Sequence, residues 1–475
     1  MNEPDAPRAR RRTALLAAAG VTVFALLGGA MVAAGAASGG APGGSKPESN
    51  ASAGTATPSQ AVTPSPRPVP AAATVPGPLR TCSVAALAAD PRLADLQAQV
   101  VNATTGEVLF DRGGATASRT ASVLKVLTSA AALSLLGADY RATTTVVAGS
   151  EPGSVVLVGG GDLTLSRTPS GEESVYAGAA HLDELARQTT AAWNAAHPGT
   201  PISSLVLDSS LFDGPGWQPG WARTELAAGH MPEITALQVD GDRENPYRGT
   251  SPRSEDPIGR AGQAFARELG GGIRVSRGTA PAGAAKLAAV QSQPVSTLVR
   301  QSLIVSDNAI AEMLARLVAV ESGAGNTFDA LQQGILAGLD PYGIDTAGIV
   351  IKDGSGLSVD NAVAPAYLTR LFVKIHKREG SLGVIADGLP VAGRTGSLSY
   401  SDRFAGDNAA ADGAVFAKTG WIDTGYTLSG IIHAADGTPL TFAVYALGDV
   451  RDNAKQAIDT ITTGFFRCGD NLSNN

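Results

Sequence analysis

Cysteine and histidine are scarce in this chain: its 475 residues include two cysteines and five histidines. Two thiols cannot build a disulfide-rich scaffold and allow one bridge at most. His181, His197, His230, His376 and His433 show no metal-ligand spacing, so no metal is expected. Lysine and arginine form no run beyond the N-terminus, and the net charge is -7, which weighs against nucleic acid as a partner. The glycine-rich stretch GGGD at 159–162 lacks the Lys-Ser/Thr that completes a phosphate loop, so it reads as a turn between strands and no cofactor is expected. With 17% charged and 44% hydrophobic residues, the chain is neither disordered as a whole nor a multi-span membrane protein.

The basic residues that are present cluster at the start. Arg8, Arg10, Arg11 and Arg12 precede an uncharged Ala/Leu/Val/Gly stretch from Thr13 to Ala37, long enough as a helix to cross a bilayer core of about 30 Å. Residues 1–37 read equally as a membrane anchor, with the arginines cytoplasmic, or as a cleaved signal peptide. Either reading exports the remainder. Residues 38–78 are Ala, Gly, Pro, Ser and Thr with almost no large apolar side chain, a composition expected to form a disordered tether. Export makes a disulfide between Cys82 and Cys468 the expectation, tying together the two ends of the folded part.

Along that folded part, LQAQVVNATTGEVLFDRGG at 96–114 reads as a β-hairpin about a Thr-Gly turn. A helix is expected from Ser122 to Leu136, stopped by Gly137. Strand-like TTTVVAG and SVVLVGGG, a helix near HLDELARQTTAAWNAA and a strand at SSLVLD follow as an α/β insertion. Two helices broken near Val305 to Asp307 come next, and GAVFAKTG, YTLSGIIHAA and PLTFAVYAL read as three strands before a closing helix at AKQAIDTITTGFF. A hairpin first, strands last and helices between predict a mixed, mainly antiparallel sheet flanked by helices, whose two ends pair across the long middle. The expected domains are 79–140 with 290–475, interrupted by an inserted 141–289.

Chemistry concentrates at three short motifs. Ser122 and Lys125 lie one turn apart at a helix start, where a lysine whose pKa is lowered by burial could take the serine proton. Ser306, Asp307 and Asn308 form SDN at the break between two helices, and Lys418, Thr419 and Gly420 form KTG at the end of an apolar strand. Taken singly, these are a cap serine with a surface lysine, a helix cap and a strand end. Together and in this order, S-x-x-K, S-D-N and K-T-G form the signature of penicillin-binding proteins and serine β-lactamases. GRTGSL at 393–398 offers a rival cation at Arg394, but no apolar strand like GAVFA precedes it, so Lys418 is preferred.

From Ser122 to Ser306 is 184 positions, and an inserted module must fill that gap. In this the chain resembles the D-alanyl-D-alanine carboxypeptidase/endopeptidase family of the type-4 penicillin-binding protein, as it does at LVGGGDLTL (157–165), LVLDSSLFDGPGWQPGW (205–221), ITALQVDGD (234–242) and KDGSGLS (352–358). The resemblance implies a β-lactamase/DD-transpeptidase-like fold and hydrolysis of D-alanyl-D-alanine bonds or D-alanyl cross-links in peptidoglycan. It implies that Ser122 forms the acyl-enzyme, Lys125 is the base, Ser306 relays a proton to the leaving amine and Asn308 holds the substrate amide. Lys418 and Thr419 would bind the terminal carboxylate, Gly420 would admit the substrate backbone, and the N–H groups of Ser122 and Trp421 would form the oxyanion hole. The partners implied are stem peptides and, as covalent inhibitors, β-lactams. One departure stands out: the family commonly has Thr after K-T-G, whereas this chain has Trp421. The rival readings are a serine β-lactamase and a wall-binding scaffold with a degenerate site.

Overall fold

The structure is a computed structural model that describes residues 79–474; the N-terminal apolar segment and the tether lie outside the described residues. Among the described residues, no helix is long and apolar enough to cross a membrane.

The hairpin forms as Asp95–Asn102 and Val108–Arg112, and the C-terminal strands Val415–Ile422, Gly425–His433 and Pro439–Leu447 pair antiparallel in succession. Asp95–Asn102 packs along Pro439–Leu447, and Ala103 donates its N–H to the Pro439 carbonyl at 2.9 Å. The first and last parts of the chain therefore share one layer, which leaves Val415–Ile422 as its far edge. At the other end, Cys82 and Cys468 are joined in a disulfide with Cα atoms 5.5 Å apart. Arg80 braces the same junction by donating to the Asp470 carbonyl and the Glu107 carboxylate.

Against this layer lies a helical one. Helix Lys125–Leu135 is buried on nearly every face from Lys125 to Leu133, packed by Val295–Ile304, Asn308–Glu321 and Leu331–Leu339. A side chain on Gly338 would collide with Ala131, and one on Gly334 with Ala319, so these two glycines let their helix seat between the other two. Buried Val, Leu and Ile side chains here, such as Val126, Leu127, Leu314 and Ile335, each contribute about 1.5–3 kcal/mol.

A second sheet lies between the first two motifs in sequence, with strands Thr143–Ala148, Ser154–Val158, Ser204–Asp208, Arg274–Arg277 and Lys286–Gln291. Its parallel pairs are those joined by crossover helices, Leu182–Ala196 and Pro257–Glu268, while its antiparallel pairs flank Thr143–Ala148. This sheet is mixed; among the terminal strands, the hairpin and the three C-terminal strands pair antiparallel with their sequence neighbours, while Cys82–Ser83 pairs parallel with Leu472–Ser473. This region has its own apolar cluster around Leu157, Leu185, Leu205 and Phe265. Other residues from the same stretch, among them Phe212, Trp217 and Met231, belong instead to the core around Leu127 and Leu314.

Two expected boundaries shift. The segment bearing Ser122 begins as a 3-10 turn, Ala121–Leu124, and becomes α-helical at Lys125. K-T-G is inside its strand rather than at its end, because the ladder with Gly425–His433 continues through Lys418↔Ser429 and Gly420↔Thr427 to Ile422↔Gly425. Gly137 adopts φ +87 just past the helix end, the conformation a glycine there relieves.

Candidate active site

Ser122 is placed by a strained turn. Ala121 has φ +46, outside the comfortable range for a residue with a Cβ, and the preceding Thr120 carbonyl accepts from the Thr427 hydroxyl at 2.6 Å. A side chain on Gly420 would collide with the Thr427 hydroxyl, the Thr120 carbonyl and Ala121. Gly420 therefore makes room for the Ser122 turn, a reason for a glycine there that the motif alone does not reveal. Gly356, at φ +85, meets the Ala121 carbonyl from the other side.

Lys125 is fully buried one turn after Ser122. Its Nζ donates to Ser122 Oγ at 2.9 Å, to Asn308 Oδ1 at 2.7 Å and to the Ser355 carbonyl at 2.8 Å. Burial lowers its pKa from 10.5 to about 8, against the opposing pull of Asp353, Glu312 and Asp307. In neutral form the amine keeps two donors for Asn308 and Ser355 and turns its lone pair toward the serine hydroxyl.

The interhelical break delivers the second motif. Asp307 caps helix Asn308–Glu321 by accepting the Ile310 N–H at 2.9 Å, as the cap reading of S-D-N expects. Ser306, at φ +59, points the other way, and its Oγ accepts from Lys418 Nζ at 2.8 Å. Asn308 also donates from Nδ2 to the His230 carbonyl at 3.2 Å. Ser122, Lys125, Ser306, Asn308 and Lys418 are thus brought together from three distant parts of the chain.

Lys418 is fully buried, and burial first, then Lys125, lowers its pKa well below 10.5. Its Nζ also donates to the Thr419 carbonyl at 2.8 Å, so its contacts are with Ser306 and its own strand. Thr419 lies on the more open side, where its hydroxyl meets Ser397 Oγ at 2.7 Å. Along the free edge of this strand, Ala417 N–H donates to the Pro390 carbonyl and the Val415 carbonyl accepts from Ala392, so alternation turns the Thr419 and Trp421 backbone to the same edge. The Trp421 side chain is 54% exposed, with its ring 6.3 Å from that of Tyr426.

Three contributions escape motif reading. Ser355, in KDGSGLS, supplies a carbonyl to Lys125, and its own N–H donates to Glu312 Oε1 at 2.7 Å. Burial and the neighbouring Asp353 push the Glu312 carboxyl up from its ordinary range. Asp353 in turn accepts from Gly356, Ser358, Asn361 and the Trp221 indole, so two buried carboxyls organise the loop beneath Lys125. The third is Ser397: in GRTGSL the Arg394 side chain is exposed, and it is the serine that reaches Thr419. Among the described residues, no cluster of His, Cys, Asp or Glu is arranged to hold a metal.

The model of the D-Ala-D-Ala carboxypeptidase 3 (S13) family matches residues 81–247 and 245–465. The chain belongs to that family. It is an enzyme of the serine D-Ala-D-Ala peptidase class. It is 35% identical over 434 residues to carboxypeptidase DacB of Mycolicibacterium smegmatis, covering 86% of this chain and 91% of that one. It is 28% identical over 429 residues to a D-alanyl-D-alanine carboxypeptidase of Actinomadura, covering 73% and 76%. Penicillin binding protein 4 from Haemophilus influenzae shares the fold, with TM-score 0.66 at 20% identity over 78% of this chain and 96% of that one.

Proposed function

We propose that Ser122 is the acylated nucleophile of a penicillin-sensitive DD-peptidase acting on peptidoglycan stem peptides, releasing terminal D-alanine, opening D-alanyl cross-links, or both. The observation that carries this reading is Lys125 Nζ, 2.9 Å from Ser122 Oγ and lowered to about 8 by burial. Neutral Lys125 takes the hydroxyl proton as Oγ attacks the carbonyl of the penultimate D-alanine, and the N–H groups of Ser122 and Trp421 receive the oxyanion. Ser306, in contact with Lys418, passes a proton to the departing amine, and water then hydrolyses the ester. Asn308 orients the substrate amide, while Thr419, with Lys418 behind it, receives the terminal carboxylate.

Action outside the cytoplasmic membrane fits the Cys82–Cys468 disulfide and the N-terminal segment, read as an anchor or a cleaved signal. We assign residues 79–140 with 290–475 to the catalytic domain and 141–289 to the insertion.

A fluorescent penicillin tests the proposal. Wild type should retain a covalent label and Ser122→Ala should take none; an unlabelled wild type sinks it, and a label lost within seconds would instead indicate a β-lactamase. D-Alanine release from a pentapeptide, compared with cleavage of cross-linked dimers, then separates carboxypeptidase from endopeptidase.

A further inference from the structure

Asp307 takes no part in the proposed acyl transfer, yet it stands between Ser306 and Asn308, which do. Its Oδ2 accepts from Arg243 Nη2 at 2.8 Å, and the two side chains are 7% and 4% exposed. The other two nitrogens of that guanidinium are also engaged: Nη1 donates to the Tyr176 hydroxyl at 2.6 Å and the Asp240 carbonyl at 3.1 Å, and Nε donates to the Gly249 carbonyl at 3.0 Å. The Tyr176 ring centroid lies 4.8 Å from Arg243 Cζ. Asp240 is itself fixed by Ser166 at 2.7 Å and Arg167 at 2.8 Å. Arg243 touches none of the reacting groups.

The turn it grips needs support. Ser306 has φ +59, a conformation unfavourable for a residue with a Cβ, and surrounding structure must hold it there. A relaxed turn would move Ser306 relative to Asn308 and break the register between the Lys418 contact at 2.8 Å and the Lys125 contact at 2.7 Å. We propose that Arg243 is a positioning residue, through which the region between the first two motifs holds the Ser306–Asn308 turn in its acylating shape. The inference rests on the acyl-enzyme reading above. It assigns the insertion a share in catalysis that no contact with substrate would reveal.

Arg243→Met removes the ion pair and keeps most of the stem; Asp307→Asn keeps a cap acceptor and removes the charge. In each, the second-order rate constant for labelling by a fluorescent penicillin should fall about tenfold or more, as small misplacements of reacting groups do. For D-alanine release, kcat should fall while KM stays within about threefold, because the lost interaction orients and does not bind. The double variant should be no slower than the slower single one, and Arg243→Lys should restore part of the rate. Arg260→Met, which removes the 3.2 Å pair with Asp242 in the same region, should lower Tm without slowing labelling. Folded variants that label within about twofold of wild type would overturn the inference. If Arg243→Met fails to fold, Asp307→Asn decides. An unlabelled wild type overturns the acyl-enzyme reading and this one with it; a labelled wild type beside equally labelled variants overturns this one alone.

Discussion

Lys418 Nζ donates to Ser306 Oγ at 2.8 Å, joining residues 112 positions apart in sequence. The lysine of the third motif is thus engaged by the serine of the second. With Lys125 held from the opposite side through Asn308, one three-residue turn keeps two buried lysines in place.

Ser306→Ala should therefore impair proton delivery more than binding. We expect kcat for D-alanine release to fall about a hundredfold with little change in KM, the range for a positioned proton-transfer group. Steady-state kinetics check this, and a rise in KM at constant kcat would contradict it.

The pH dependence of acylation follows from Lys125. Its pKa is lowered from 10.5 to about 8, so the neutral amine able to accept a proton is the minor form below that pH. Labelling rates at limiting penicillin should rise through about pH 8 and level off above it. The stability sign is separate: the unfolded chain binds more protons than the folded one between about 8 and 10.5, so this group destabilises the fold fully below that window and ceases to do so above it. Rates independent of pH from 6 to 9 would count against Lys125 as the base.

The two hydroxyls near the free strand edge give a third test. Ser397→Ala removes the 2.7 Å partner of Thr419, and the loss of one neutral hydrogen bond, about 1 kcal/mol, should raise KM for a D-Ala-D-Ala peptide about fivefold. Trp421→Thr, at a 54% exposed position, should change stability by less than about 0.5 kcal/mol while altering the ratio of kcat/KM between stem peptides. An unchanged ratio would remove Trp421 from substrate selection.

Replacing both Cys82 and Cys468 by serine should cost about 3–5 kcal/mol, since the bridge closes a loop spanning 386 positions. The bond sits in the core cluster around Phe465 and Leu472, apart from the Lys125 contacts, so labelling of the folded variant at 25 °C should match wild type. Thermal denaturation and labelling, run together, check both halves.

The local order of this chain was legible in its sequence. Apolar residues on either side of a Thr-Gly turn marked the hairpin Asp95–Asn102 with Val108–Arg112, a glycine marked the end of Lys125–Leu135, and three motifs named Ser122, Lys125, Ser306, Asn308, Lys418 and Thr419. Each of those signals is short-range: a spacing of three on a helix, a cap, a turn. Helix Pro365–His376 was not assigned, although Leu368, Leu371, Phe372 and Ile375 fall on one face at helical spacing and Pro365 stands at its start. Tertiary structure alone decided that Gly420 accommodates Thr120 and Ala121, that Ser397 meets Thr419, that Ser355 offers its carbonyl to Lys125 and that Arg243 grips Asp307. Each is a contact across tens to hundreds of residues, fixed by how the layers pack, and no local pattern encodes which distant polar group will satisfy a buried one.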